Sequence, residues 1–123
     1  MALNAQRGRD HGLPSYNRYR QMCGLPKLTT FADLQTNSKD PRVVTALSQV
    51  YASVDDIDLY IGGLTETSVN GGNLGPTFSC LIAENFAQLK KSDRFFYENS
   101  GQRHSFTSGK YFKRFPHFNS ELK

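Results

Sequence analysis

Residues 4–14 read NAQRGRDHGLP, a run in which one short helical pattern comes to an abrupt end. Leu3 to Arg9 can form a helix, and Gly12 with Pro14 predicts where it stops, because neither residue favours its continuation. Charged side chains cluster at this predicted helix end. Taken alone, they indicate a structural salt-bridge network, formed by Arg7, Arg9, Asp10 and His11.

Length and composition bound the size of the core. With 123 residues, the chain has room for one small domain or for a piece of a larger one. If it folds compactly, it buries about two-thirds of the surface that it exposes when unfolded. Only 37% of the residues are hydrophobic, there is no Trp, and the mean hydropathy is -0.55. Composition alone therefore leaves open whether the chain has a self-sufficient core.

Positive charge concentrates at the C-terminal end. The net charge is +4, but residues 1–89 contain seven Lys/Arg and eight Asp/Glu, whereas residues 90–123 contain eight and three. Residues 111–115 read YFKRF, and such mixing of aromatic and basic side chains occurs in proteins that bind single-stranded nucleic acid. The segment is short and matches no known binding module, so we expect no nucleic-acid partner.

Membrane and targeting signals are not evident. No stretch reaches the roughly 20 apolar residues that a membrane-spanning helix needs. Residues 1–7 read MALNAQR and lack the apolar core of a signal peptide. From the sequence as written, we expect neither a membrane span nor a signal peptide.

Two cysteines, Cys23 and Cys80, lie far apart along the chain. Their separation matches neither the spacing of metal-ligand pairs nor that of redox dithiols. Two buried free thiols and one long-range disulfide both remain open at this point.

Short helical patterns separated by strong breakers predict a mainly α fold. Ser15 is a predicted N-cap whose hydroxyl accepts from the first free amides of the next helix. Thr30 predicts the start of a one-turn helix. Asp40-Pro41 predicts another start, because proline at the first helical position loses only an amide that has no partner there.

The second half of the chain follows the same scheme. Residues 55–61 form a short acidic and apolar segment that Gly62-Gly63 is predicted to end, and residues 65–75 are predicted to be an exposed loop. Gly75-Pro76 starts the longest helical pattern, in which apolar residues recur every three or four positions. We expect this helix to be buried on more than one side.

Four blocks of sequence resemble the animal haem peroxidase family. They are NAQRGRDHGLP at residues 4–14, DDIDLYIGG at residues 55–63, LGPTFSC at residues 74–80 and SDRFFYEN at residues 92–99. The resemblance implies a mainly α partial domain, built from the short helices of the animal haem peroxidase fold. Residues 1–99 are then the C-terminal part of that domain. Residues 100–123 are a divergent basic and aromatic tail, predicted to be loop or disordered.

The resemblance also implies haem as the cofactor, with Leu3, Asn4 and Arg7 as cofactor-binding residues. In the family, the position matching Asn4 accepts a hydrogen bond from the proximal histidine, which raises the basicity of the nitrogen bound to iron. The position matching Arg7 pairs with a haem propionate, which suits a guanidinium fork. Leu3 matches an apolar residue near the haem face. Asn4 and Arg7 are about one helical turn apart, so one helix can present both.

Family positions further imply a disulfide between Cys23 and Cys80. Such a bond indicates that the parent protein matures in an oxidising compartment. The resemblance therefore implies an extracellular or secretory-pathway location. His11 is expected to belong, with Arg9 and Asp10, to a structural latch and not to ligate iron.

The residues that perform peroxide chemistry in the family lie upstream of the segment matched here. We therefore expect no catalytic residue in this chain. We expect no metal ligand either, because the family's calcium site is also upstream, and residues 55–58 lack the glycine and terminal glutamate of the common calcium loop.

The resulting hypothesis is a C-terminal fragment of a haem peroxidase that uses hydrogen peroxide, inactive when alone. Its expected partners are haem, the missing N-terminal part of the peroxidase domain and small-molecule electron donors. The alternative is a non-catalytic, peroxidase-like protein of adhesion or matrix interaction.

Overall fold

A computed structural model describes residues 2–103 and residue 105. The described part of the chain contains six α-helices, one 3-10 helix at Val54–Asp56, and no strand beyond isolated bridges. The helices are α1 Ala2–Asp10, α2 Tyr16–Met22, α3 Phe31–Asn37, α4 Pro41–Val50, α5 Leu59–Thr65 and α6 Pro76–Ser92. The predicted mainly α fold is confirmed. The loop or disorder predicted for the tail falls almost entirely outside the described residues.

The described residues up to Ala83 form one compact unit, and those from Glu84 form another. The hydrophobic core lies in the first unit and is small. Its buried members are Tyr16, Leu28, Leu34, Val44, Leu47, Val54 and Ile57. Full burial of such a side chain contributes about 1.5–3 kcal/mol to the free energy of unfolding. Because the core is small, polar interactions and crosslinks contribute a large part of the stability.

Side-chain caps start α3 and α4 as the sequence predicts. The Asp40 carboxylate accepts the amide of Arg42, with Pro41 at the first helical position. Thr30 begins a capping box, in which its hydroxyl accepts the Asp33 amide and the Asp33 carboxylate accepts the Thr30 amide. Hydrogen bonds from Thr29 and then Thr30 lower the pKa of Asp33 to about 2. With this cap, α3 extends to Asn37 and is longer than the predicted single turn.

Ser15 marks the start of α2, but the predicted role of its hydroxyl is wrong. The hydroxyl makes no capping hydrogen bond. Ser15 instead forms an isolated antiparallel bridge with Asp58, and the adjacent Tyr16 amide donates to the Ile57 carbonyl at 2.9 Å. A contact between distant segments therefore sets this helix start, where the sequence indicated a local cap.

The sequence predicted that Gly62 and Gly63 end the short acidic and apolar segment, but both glycines lie inside α5. A Cβ at Gly62 would fall 2.3 Å from the ring of Tyr16, and one at Gly63 would fall 2.5 Å from the ring of Phe78. Glycine lowers helix propensity, but here it allows α5 to touch aromatic rings of α2 and α6.

A buried carboxylate, Glu66, lies at the C-terminal end of α5. The Tyr16 hydroxyl donates to its Oε1 at 2.7 Å, and Arg20 Nη1 donates to the same oxygen at 2.9 Å. Thr77 donates its amide to Oε2 at 2.9 Å and its hydroxyl to Oε1 at 2.6 Å. The Glu66 side chain is 0% exposed and that of Arg20 is 3% exposed. We call these four residues the Glu66 network.

The Glu66 network revises the prediction that residues 65–75 form an exposed loop. Thr65, Glu66 and Gly75 are buried, and most of the residues between Glu66 and Gly75 are exposed. Burial and then the hydrogen bond to Glu66 raise the pKa of Tyr16 well above its usual value. The phenol therefore stays protonated and remains a donor to the carboxylate. Gly75 completes the arrangement, because a Cβ there would fall 2.3 Å from Glu66 Cβ.

A disulfide joins Cys23, just after α2, to Cys80 in α6, with a Cα–Cα distance of 6.0 Å. The family-based pairing is confirmed, and the alternative of two free thiols is excluded. The bond closes a loop of 57 residues, which corresponds to about 4 kcal/mol in the chain-entropy model. It connects the same two helices that meet at the Glu66 network.

The longest helix, α6, starts at Pro76 as predicted, but the expectation of burial on several sides is wrong. Thr77 is its only buried residue. Phe78 and Leu81 are half-buried, but the apolar side chains that follow at helical spacing are exposed, namely Ile82, Phe86 and Leu89. Their spacing is typical of a buried face, yet none of the described residues covers it.

Helix α1 has no buried residue and is held by a latch between Arg9 and Asp58. Arg9 Nε and Nη2 donate to the two carboxylate oxygens of Asp58 at 2.9 and 2.8 Å. The Tyr51 hydroxyl donates to the same carboxylate at 2.6 Å. The hydrogen bond from Arg9 and, less strongly, that from Tyr51 lower the pKa of Asp58. The structural role predicted for Arg9 is thus confirmed.

We predict that Glu66→Gln destabilises the protein by about 3–5 kcal/mol, because it leaves the buried Arg20 guanidinium without its counter-charge. Urea unfolding with the disulfide intact measures the loss. Glu84→Gln is the control, since Glu84 is exposed, and it should change the free energy of unfolding by less than about 0.5 kcal/mol. Equal unfolding midpoints for Glu66→Gln and the unmodified chain would contradict the central role of the network.

We predict that Arg9→Gln raises the pKa of Asp58 towards 3.8, as measured by carboxyl NMR titration. The folded-state pKa is depressed, so the latch stabilises the protein above the unfolded pKa and this contribution is lost as the pH falls through the folded pKa. The variant should therefore lose less stability on acidification below about pH 4. Arg42→Gln, which removes the partner of Asp40, should leave the Asp58 titration unchanged. An unaltered Asp58 pKa in Arg9→Gln would refute the latch.

Candidate functional site

Helix α1 presents Asn4 and Arg7 to one concavity of about 550 Å³. The concavity is bounded by α1, by the turn that follows it, and by residues from the starts of α5 and α6. Leu59, Tyr60 and Phe78 contribute apolar and aromatic surface to its wall. Its size is within the range of small-molecule sites, which are mostly apolar with a few placed polar groups.

The structure brings together two of the three predicted cofactor-binding residues. Asn4 and Arg7 line the same concavity, as expected for residues one helical turn apart. Leu3 does not line it, and its side chain is 69% exposed. The cofactor contact assigned to Leu3 remains a prediction.

The polar groups of Asn4 and Arg7 are available for a ligand. Within the part of the chain that the structure describes, neither side chain makes a hydrogen bond or an ion pair. By contrast, Arg9 pairs with Asp58, and Arg20 pairs with Glu66. Arg7 therefore offers a complete guanidinium fork, and Asn4 offers both an amide donor and a carbonyl acceptor.

The charge of the concavity is set mainly by Arg7. Asp58 also lines it, but its carboxylate is already bound by Arg9 and by the Tyr51 hydroxyl. Burial and the hydrogen bond to Asp58 raise the pKa of Tyr51, so this hydroxyl stays protonated at neutral pH. The positive charge of Arg7, which has no ion-pair partner within the described part of the chain, favours an anionic group such as a carboxylate.

His11 lines the same concavity, one turn after Arg7. Neither its imidazole nor the carboxylate of Asp10 has a partner among the described residues. The prediction that neighbouring residues at the end of α1 form a salt-bridge network is therefore wrong. Arg9 instead forms the latch with Asp58, a residue from a distant segment.

The described residues contain neither a candidate metal site nor a candidate membrane span. Among residues 2–103 and 105, no group of His, Cys, Asp or Glu could hold a metal ion. In the same part of the chain, no helix is both long enough and apolar enough to cross a bilayer. The aromatic and basic segment at residues 111–115 lies outside the described residues.

The residues present fit the edge of a haem site. An amide carbonyl can accept the N–H of an imidazole, and a guanidinium fork matches a carboxylate, so Asn4 and Arg7 suit an axial ligand's ring and a propionate. The apolar wall beside them suits a porphyrin face. Sequence reasoning missed three residues that shape this site: Asp58, Tyr60 and Phe78. They lie inside two of the four recognised blocks, but their position in the wall depends on tertiary packing.

Known proteins are similar to this chain in sequence. The family model for animal haem peroxidase matches residues 1–113. Thyroid peroxidase from Sus scrofa is 44% identical over 100 residues, which cover 81% of this chain and 11% of the relative. Peroxidasin from Drosophila melanogaster is 42% identical, over 81% of this chain and 6% of the relative.

A solved structure matches as well. Peroxidase A from Dictyostelium discoideum superimposes with a TM-score of 0.70 and 39% identity, over 90% of this chain and 22% of that chain. The chain thus spans a small part of the relatives that it matches. The family-model match, the sequence identity to known peroxidases and the structural similarity lead to the same conclusion: the chain belongs to the animal haem peroxidase family.

Proposed function

We propose that this chain forms part of the haem-pocket wall of a peroxidase that uses hydrogen peroxide. The observation that carries the proposal is the pair Asn4 and Arg7, which lie one helical turn apart on α1 and line the same concavity. Neither side chain has a polar partner among residues 2–103 and 105. Haem, when bound, supplies the redox chemistry with peroxide and with small-molecule electron donors.

Asn4 is the proposed acceptor for the N–H of an imidazole that another part of the peroxidase domain supplies. A hydrogen bond at that nitrogen fixes the orientation of the ring and increases the electron donation of its other nitrogen. Asn4 lies in the first half of α1, and the Arg9 latch holds the other end of that helix against Asp58. The latch therefore limits how far the carboxamide can move.

Arg7 is the proposed partner of a haem propionate. A guanidinium group in a protein is permanently charged and presents parallel donors to a carboxylate. Because Arg9 is occupied by Asp58, Arg7 is the arginine of α1 that remains available. Leu3 is proposed as an apolar contact of the same cofactor, from a surface that is exposed in this chain.

The proposal assigns no catalytic residue and no metal ligand to this chain. It places the peroxidase portion at residues 1–99, which contain the four recognised blocks, and treats residues 100–123 as a divergent tail. The Cys23–Cys80 disulfide supports maturation in an oxidising compartment, as in the secretory pathway or outside the cell.

A chimera tests the cofactor role. In it, this chain replaces the matching segment of Dictyostelium Peroxidase A. Arg7→Gln removes one charge-assisted contact worth about 1.5–3 kcal/mol, so we expect haem affinity to fall on the order of tenfold to a hundredfold. Asn4→Leu should raise the midpoint potential of bound haem, because the imidazole whose N–H Asn4 would accept becomes a weaker electron donor. Haem titration followed by Soret absorbance and spectroelectrochemistry provide the two measurements.

Gln6→Ala is the matched control for these variants. Gln6 belongs to α1 and is exposed, but it does not line the concavity. Its substitution should leave affinity and potential unchanged. Equal haem affinities for Arg7→Gln, Gln6→Ala and the unmodified chimera would rule out the propionate contact.

The isolated chain is expected to be inactive. When the purified 123-residue protein is mixed with haem, hydrogen peroxide and a phenolic donor, oxidation should not exceed that of free haem, because the proposal gives this chain no group that cleaves peroxide. A colorimetric rate assay with an equal haem concentration provides the comparison. Turnover well above the free-haem rate would show that the chain contains its own catalytic groups.

A further inference from the structure

A second concavity of about 810 Å³ runs between α4 and α5 and reaches α1. Apolar side chains line most of it, including Val43, Leu47, Val50 and Ile61. We call it the α4–α5 groove. Val43 is 38% exposed and Val50 is 77% exposed, so the groove is an apolar surface that the described residues leave uncovered.

We propose that the α4–α5 groove is the surface on which the remainder of a peroxidase domain docks, through an apolar segment with an acidic residue at its edge. The inference rests on the proposed function. The groove is then the surface that contacts the part of the domain that supplies the iron ligand. It assigns a role to residues outside the concavity that contains Asn4 and Arg7.

Continuity between the two concavities supports this occupant. Ala5 lines both, so α1 separates the α4–α5 groove from the concavity that Asn4 and Arg7 face. A polypeptide that brings an imidazole to Asn4 can therefore extend over α1 into the groove. Helix α1 has no buried residue, which leaves its exposed surface free for such a contact.

The extent of the structural match supports the same occupant. The structural match covers only 22% of the Dictyostelium Peroxidase A chain. Most of that relative therefore lies outside the matched segment. An uncovered apolar surface on a partial domain is expected where the rest of that domain packs, because burial of apolar area is the main favourable term in such contacts.

Charges at the rim define the chemistry of the partner. Asp40 and Arg42 pair with each other at 2.9 Å and leave little net charge for a ligand. The ammonium of Lys39, which also lines the groove, has no partner among the described residues. The groove thus presents apolar surface beside one unpaired positive charge, which fits an apolar segment with a neighbouring carboxylate.

Co-expression tests the docking surface. A tagged Dictyostelium Peroxidase A that lacks the matched segment is produced in a secretory compartment together with this complete chain, and the amount of chain that co-purifies is measured. We expect the unmodified chain to co-purify, and we expect Val50→Glu and Val43→Glu to reduce its amount at least tenfold, because each places a charge in the apolar contact. Lys39→Glu should also weaken capture.

Val69→Glu is the matched control. Val69 is 37% exposed, close to the value for Val43, and it does not line the groove. Its capture should remain within twofold of the unmodified chain. Because Val50 is the more exposed of the two groove valines, Val50→Glu keeps the test valid if Val43→Glu fails to fold, as judged by circular dichroism and by the disulfide.

Three outcomes would overturn the proposal: no capture of the unmodified chain, equal capture of Val50→Glu and Val69→Glu, or a dimer of the isolated chain that Val50→Glu dissociates. The last outcome would show that a second copy occupies the groove. Haem titration of the Arg7→Gln chimera separates the two proposals, because Arg7 lies outside the groove and its proposed contact is with haem. Groove-dependent capture with haem binding that is insensitive to Arg7 would refute the cofactor role alone.

Discussion

The buried carboxylate of Glu66 is the interaction on which the rest of the fold depends. It lies at the end of α5 and accepts hydrogen bonds from residues of α2 and α6, with the Arg20 guanidinium as its counter-charge. A buried charge is tolerated only when it is paired and fully hydrogen-bonded, so the three helices have to meet in one arrangement. No buried side-chain polar atom among the described residues lacks a partner. The Cys23–Cys80 bond then crosslinks two of the three helices beside this network.

Helix α5 transmits this constraint to the candidate site. Its seven residues span about 10 Å, with Glu66 following one end and Asp58 preceding the other. Asp58 holds Arg9 and thereby α1, and α1 presents Asn4 and Arg7. Glycines in the middle of α5 allow its close contact with Tyr16 and Phe78. The positions of half-buried Asn4 and exposed Arg7 thus depend on a carboxylate at the opposite end of a neighbouring helix.

Much of the apolar surface in this chain is not covered by its own described residues. Helix α1 has no buried residue, the α4–α5 groove is uncovered, and the repeating apolar residues of α6 are exposed. A small core with several uncovered apolar faces is expected of a partial domain, because the amphipathic spacing of each helix reflects contacts that other parts of the domain supply. The small share of each relative that the chain covers agrees with this interpretation.

The sequence by itself determined the family, the helical class, most helix starts and the pairing of Cys23 with Cys80. These features depend on local signals, such as the caps at Thr30 and Asp40, or on recognisable blocks of residues. Only the tertiary structure decided that Gly62 and Gly63 lie within a helix and that Glu66 is buried. It also decided that Arg9 reaches Asp58. Finally, it placed Asn4 and Arg7, but not Leu3, in the wall of one concavity. The physical reason is that each of these outcomes depends on a contact between segments distant in sequence, and local propensity carries no information about which distant group will lie opposite a given side chain.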